Sequence, residues 1–222
     1  MKFLITIFLL SSLNLVAQQD LESVEKSDPA SIKTLAKLKS EYDKYDTHRI
    51  EFLIEIEIPG QSKENQSGSL IQSGEKFVLE MDQQMIISDN ETVWIYLKDQ
   101  NEIQINDADF GEEGDLMSPT AVFNLYMSDD YIYGVSNSEY IDGIVLTSIE
   151  GKPIADDSEY SKIKIVLSDK DTKLKQIKIF EKDGSRYTLN VSKHIFDYQT
   201  DSTTFTFNKN DYKGVIIEDL RF

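Results

Sequence analysis

RIEFLIEIEI, Arg49 to Ile58, is the stretch on which the reading of the fold turns. Ile50, Phe52, Ile54, Ile56 and Ile58 alternate with Arg49, Glu51, Leu53, Glu55 and Glu57. A period of two puts one set on each face of a strand, apolar on one side and, Leu53 apart, charged on the other. A strand of that kind belongs in an antiparallel sheet with one covered side. Pro59-Gly60 ends it.

Outward from this strand, the pattern upstream is helical. Ser27-Asp28-Pro29 supplies a capping side chain and a proline for a first turn that has no amide bond to lose. Ile32, Leu35, Leu38, Tyr42 and Tyr45 then recur three or four residues apart, an apolar stripe set against Lys33, Lys37, Lys39 and Glu41. Downstream the chain reads as strands separated by turn residues. These are Gly68–Ile71, Phe77–Met81, Ile86–Ser88, Val93–Leu97, Glu102–Ile105, Ile144–Ile149, Ile163–Leu167, Leu174–Phe180, Tyr187–Tyr198, Thr203–Phe207 and Val215–Ile217. Ser168-Asp169-Lys170-Asp171 and Lys182-Asp183-Gly184-Ser185 read as hairpin turns. One interruption, Ser118 to Met127, opens with a second cap-and-proline pair and predicts a short helix that is apolar nearly all round.

The start of the chain reads as a leader. Lys2, the apolar run Phe3–Leu10 and a small residue at Ala17 before Gln18-Gln19-Asp20 describe a secretory signal peptide cleaved after residue 17. The apolar run is well short of the ~20 residues a bilayer requires. With no cysteine, the chain has neither a lipid-attachment site nor disulfides. The expectation is an exported protein without a stable membrane anchor, its residues 18–222 one domain. Its net charge of −17 argues against nucleic acid and against an anionic lipid surface, both of which call for clustered Lys or Arg.

Enzyme signatures are tested and fail. Of the two histidines, neither stands in a pattern that marks a catalytic base, and His48 reads as a strand-end residue. There is no Gly-x-Ser-x-Gly elbow, and Gly151-Lys152-Pro153 lacks the rest of a phosphate loop. Asp107-Ala108-Asp109-Phe110-Gly111 hints at a calcium loop but has glycine and Glu112 where that loop needs an acid and a glycine. The reading is a binding protein, not an enzyme, without cofactor or metal.

The motifs in order resemble those of the periplasmic outer-membrane lipoprotein carrier proteins, the LolA family. The resemblance rests on Gly68-Ser69-Leu70 followed by Phe77-Val78-Leu79-Glu80-Met81. It rests also on Ile87–Tyr96, similar to the family's SDGxTLWxY hairpin, and on Phe205-Thr206-Phe207 with Gly214–Asp219, similar to its FxFxxPxGVxVxD close. It implies a mainly β fold, α+β in class: an open, incomplete antiparallel β-barrel with a lid of short helices over its concave apolar face. The implied function is to carry the acyl chains of lipoproteins across the periplasm, from an inner-membrane ABC exporter to the outer membrane. The outer-membrane acceptor is unassigned and the carrier is expected as a monomer. A lipid-binding or sensor module on the same fold, without transport, is the alternative, and an envelope hydrolase a more distant one. Many members place an Arg-Pro pair where this chain has Ser73-Gly74-Glu75-Lys76, and that arginine latches the lid. Lys76 lacks the planar fork of donors and could serve only as a weak latch.

On this reading the acyl-chain wall is Phe52, Ile54, Phe77, Leu79, Met81, Trp94 and Tyr96, and the lid contributes Leu35, Val122, Phe123 and Tyr126. Trp94 and Tyr96 would point into the hollow with Val93, Ile95 and Leu97 packing behind them. The alternative, that these residues fill a two-layer core, stays open for each of them taken singly.

Overall fold

A computed structural model describes residues 26–108, 130–141 and 143–221. The expected signal peptide, and the Ser118–Met127 segment with Val122, Phe123 and Tyr126, lie outside the described residues. Among the described residues, helix α1, Pro29–Tyr42, precedes eleven strands, numbered in chain order. They are β1 Thr47–Glu57, β2 Glu64–Ser73, β3 Lys76–Met81, β4 Gln84–Ser88, β5 Thr92–Leu97, β6 Glu102–Asp107, β7 Tyr131–Ile141, β8 Ile144–Pro153, β9 Tyr160–Ser168, β10 Lys173–Glu181 and β11 Arg186–Phe196. A short strand β12, Ile216–Asp219, follows near the C-terminus. All twelve form one sheet, in the order β12-β6-β5-β4-β3-β2-β1-β11-β10-β9-β8-β7. Its two ends, β12 and β7, are not joined, so the sheet is open.

Two meanders, β1–β6 and β7–β11, meet where β1 pairs antiparallel with β11. Every neighbour pair is antiparallel except β12 on β6, which is parallel. Between β11 and β12 the chain crosses the sheet from Tyr198, whose amide reaches Thr47 O, to Ile216, whose amide reaches Asn101 O. That crossing replaces the strand expected over Thr203–Phe207. Asp201 there accepts hydrogen bonds from Thr203 N and from the hydroxyls of Thr203 and Thr204. These local side-chain bonds fold the segment into turns despite its alternating sequence.

Helix α1 begins as its sequence dictates. Asp28 is the N-cap, its carboxylate accepting from Ser31 N and Ser31 Oγ, and Pro29 opens the first turn. The face it buries differs from the expected stripe: Ser31, Leu35 and Leu38 are buried, whereas Ile32 is 45% exposed and Tyr45 41%. The helix is tied at both ends. Asp28 N donates to Tyr133 O on β7, and Tyr42 meets His194 on β11. It therefore crosses the sheet from its β7 edge to the central seam, a span of about 21 Å for fourteen residues.

Candidate functional site

Strand pairing decides which side chains share a face, because residues directly opposite one another project to the same side. The face under α1, the inner face, carries one continuous apolar cluster. It includes Leu35 and Leu38 of the helix, Ile163, Ile165 and Leu167 of β9, Ile177 of β10, Ile50 and Phe52 of β1, Leu70 of β2, and Phe77, Leu79 and Met81 of β3. Ile54 and Ile86 pack against it, half-buried. Phe52, Ile54, Phe77, Leu79 and Met81 are thus brought together on one floor, and Leu35 packs over the β7–β11 half of that face.

Two glycines let rings lie close to this floor. Gly68 stands between Phe52 and Met81 in register, and a Cβ there would come within 2.6 Å of both the phenyl ring and the thioether sulfur. Gly151 stands between Tyr133 and Ile163, and a Cβ there would come within 2.8 Å of the tyrosine ring. Each half of the sheet has one such site, where the missing side chain makes room for an aromatic ring.

Trp94 and Tyr96 are not on this floor. The register Leu79–Ile86–Ile95–Gln104 and Phe77–Ser88–Val93–Asn106 places Val93, Ile95 and Leu97 on the inner face. Trp94, opposite Ile87 and Ile105, and Tyr96, opposite Met85 and Ile103, are on the outer one. The sequence reading of this strand is therefore reversed. Tyr96 meets the chain crossing instead: its ring lies 4.7 Å from that of Tyr212, and its hydroxyl donates to Asn101 Oδ1 at 3.1 Å. The Tyr212 ring in turn lies 5.1 Å from Phe207, and Tyr212 Oη reaches Met85 Sδ at 4.0 Å. Lys76, opposite Ser73 at the end of β3, also leaves the sheet on the outer side. It is exposed and makes no ion pair or side-chain hydrogen bond among the described residues.

The inner floor has polar margins at two places. At the seam, His48 Nδ1 and His194 Nε2 are 3.1 Å apart, His48 Nε2 is 3.0 Å from Tyr45 O, and His194 Nδ1 is 3.1 Å from Tyr42 Oη. The carbonyl can only accept, so His48 carries its proton on Nε2. His194 then donates through Nε2 and accepts the Tyr42 hydroxyl at Nδ1. The network is complete with both imidazoles neutral. Burial, with repulsion from His48 and Lys173, pushes His194 down to about 3, and burial lowers His48 as well. The other margin is β6, whose inner-face residues Glu102, Gln104 and Asn106 are all polar.

On the outer face, a cleft of about 640 Å³ opens beside Ser67–Ser69. Arg49, Glu51, Glu80, Asp82 and Lys98 line much of it, charges of both signs that would lose water to an apolar guest. Among the described residues no group of three or more His, Cys, Asp or Glu side chains could hold a metal ion, and no helix is long and apolar enough to cross a membrane.

Comparison with known proteins agrees with this architecture. The family model for the outer membrane lipoprotein carrier protein LolA matches residues 57–208. No curated protein matches. An uncharacterized conserved protein from Thermus thermophilus superposes with a TM-score of 0.54 at 9% identity, covering 83% of this chain and 98% of its own. A LolA superfamily protein from Nitrosomonas europaea gives 0.44 at 11% identity, covering 80% and 97%. Lipoprotein LppX from Mycobacterium tuberculosis gives 0.49 at 15% identity, covering 79% and 99%.

Proposed function

The chain belongs to the outer membrane lipoprotein carrier (LolA) family, and on that premise we propose that it carries lipoprotein acyl chains on the inner face of its sheet. In this reading residues 1–17 are removed on export, and residues 18–222 act as one domain in the periplasm. The protein takes lipoproteins from an inner-membrane ABC exporter and delivers them to the outer membrane as a monomer. The observation that carries the reading is the floor itself. Phe52, Leu70, Phe77, Leu79, Met81, Ile86, Val93 and Ile95 continue the helix-covered core across β1 to β5, beyond the strands that α1 spans. Such a surface recognises a ligand by its hydrocarbon, with few polar groups to fix a head. Each methylene buried there contributes ~0.8 kcal/mol, so two long chains bind without special chemistry.

Phe77→Glu tests it. A carboxylate in the middle of the floor should abolish binding of a diacyl probe while circular dichroism still reports a folded sheet. Mass spectrometry of the wild-type protein purified from the periplasm should find acylated cargo that the variant lacks. A folded variant that carries its cargo unchanged would place the acyl site elsewhere.

A further inference from the structure

The inner face of β6 holds a polar group that no interaction among the described residues accounts for. Glu102 and Gln104 satisfy one another, Gln104 Nε2 donating to Glu102 Oε1 at 3.0 Å, and both are half-buried. Asn106 is different. It is 5% exposed, in a row with Phe77, Ser88 and Val93 that is buried throughout. Its Nδ2 is fully buried and has no hydrogen-bond acceptor among the described residues. Most buried donors in folded proteins are paired, so an orphan beside an apolar floor calls for a partner that arrives from outside.

We propose that Asn106 is the polar anchor of the acyl site, its amide donating to the carbonyl oxygen of an ester- or amide-linked acyl chain. The proposal rests on the acyl-carrier reading above and adds what the floor selects for besides hydrocarbon. An NH₂ group donates and cannot accept, so the guest must bring an acceptor. The row contains no cation. A phosphate or free carboxylate would lose its water there without a countercharge, whereas a neutral carbonyl costs far less to desolvate. The anchor sits where the floor turns polar; its own row passes Val93, Ser88, Phe77 and Gln72 to His48, and the apolar path lies one row over, through Ile95, Ile86, Leu79 and Leu70 to Ile50 on β1. That is five strand spacings, about 24 Å, along which a tail can lie. In the empty protein the amide is an unsatisfied buried group, and cargo satisfies it. Loading and relief of that cost are then one event.

Two ligands of equal chain length separate the anchor from the floor: a long-chain methyl ester and the corresponding hydrocarbon. Each is titrated against an apolar dye bound to the mature protein. Wild type should release the dye to the ester at a concentration at least fivefold lower than to the hydrocarbon. Asn106→Leu should erase that preference and leave the hydrocarbon unchanged. Its melting temperature should rise, because the orphan donor is gone. Affinity for the ester and stability thus move in opposite directions, which a merely structural asparagine would not produce. Without any variant, the infrared carbonyl band of the ester should shift to lower frequency on binding wild type. Equal displacement by both ligands in wild type, or an ester preference that survives in Asn106→Leu, overturns the anchor and leaves the carrier reading standing. Failure of both ligands to displace the dye overturns both.

Discussion

His194 shows how a single residue can be structural for a reason its type does not advertise. It sits on the inner face opposite Ile50, between the end of α1 and the seam of the two meanders, and its ring lies 4.1 Å from that of Phe196. Because folding holds it near 3 against an ordinary 6.5, the sign of its pH effect is fixed. Below pH 6.5 the unfolded chain takes up a proton that the folded protein refuses. Stability is complete above 6.5 and falls as pH drops towards 3, by at most ~1.4 kcal/mol per pH unit. Between pH 6.5 and 5 most carboxylates remain ionised in both states, so the histidine effect can be isolated. Urea unfolding of wild type should lose up to about 2 kcal/mol over that window, and His194→Gln should lose markedly less. Equal slopes would mean that the ring is solvated in solution. The sequence placed His48 at a strand end, as observed, but could not join it to a residue 146 positions away. That contact depends on β1 pairing with β11, which no local pattern encodes.

At the scale of elements, strands were legible wherever one face differs from the other. β1 is the clear example: Ile50 and Phe52 of its apolar set are buried and Ile54 packs half-buried against the same cluster. β5 is the opposite case. Val93 to Leu97 is apolar on both faces, so its period cannot say which set points inward. The register of β3, β4 and β5 decides, and it sends Trp94 and Tyr96 outward to meet the chain crossing. The crossing was legible only as a strand, because Thr203–Phe207 alternates while its Asp201 turn chemistry needs coordinates to be seen. The strand from Tyr131 to Ile141 was missed, since its second half is exposed on both faces and follows no period. The corrected register has an optical consequence. Trp94 is the protein's one tryptophan, so a saturating diacyl ligand on the inner face should leave the wild-type emission maximum in place. An Ile95→Trp, Trp94→Phe protein should shift to the blue on the same titration. A wild-type shift larger than that of the reporter would put the acyl chain on the outer face.

For the whole molecule, the acid excess was visible from composition alone, and folding gives it a mechanical meaning. The chain as a whole carries a net charge of −17, and its folded form must hold those charges closer together than the unfolded chain does. Opposed to this are local attractions: Lys39 with Asp43, Lys44 with Glu41, Lys162 with Glu150 and Arg221 with Asp219. All four pairs are largely exposed, and each contributes roughly 0–1 kcal/mol in water. Salt screens both effects, with a Debye length of about 10 Å at 0.1 M. Ion pairs in contact lie well inside that distance, whereas repulsions among dispersed acids act across and beyond it, so salt removes more repulsion than attraction. Raising sodium chloride from about 10 mM to about 200 mM at neutral pH should therefore stabilise the protein. A gain of ~1 kcal/mol corresponds to about 2–4 °C in melting temperature for a chain of this size. A melting temperature that falls with salt would show that the ion pairs outweigh the self-repulsion. Under the proposed carrier role, the same repulsion would oppose contact with anionic lipid, and delivery would fall to the apolar floor and its cargo.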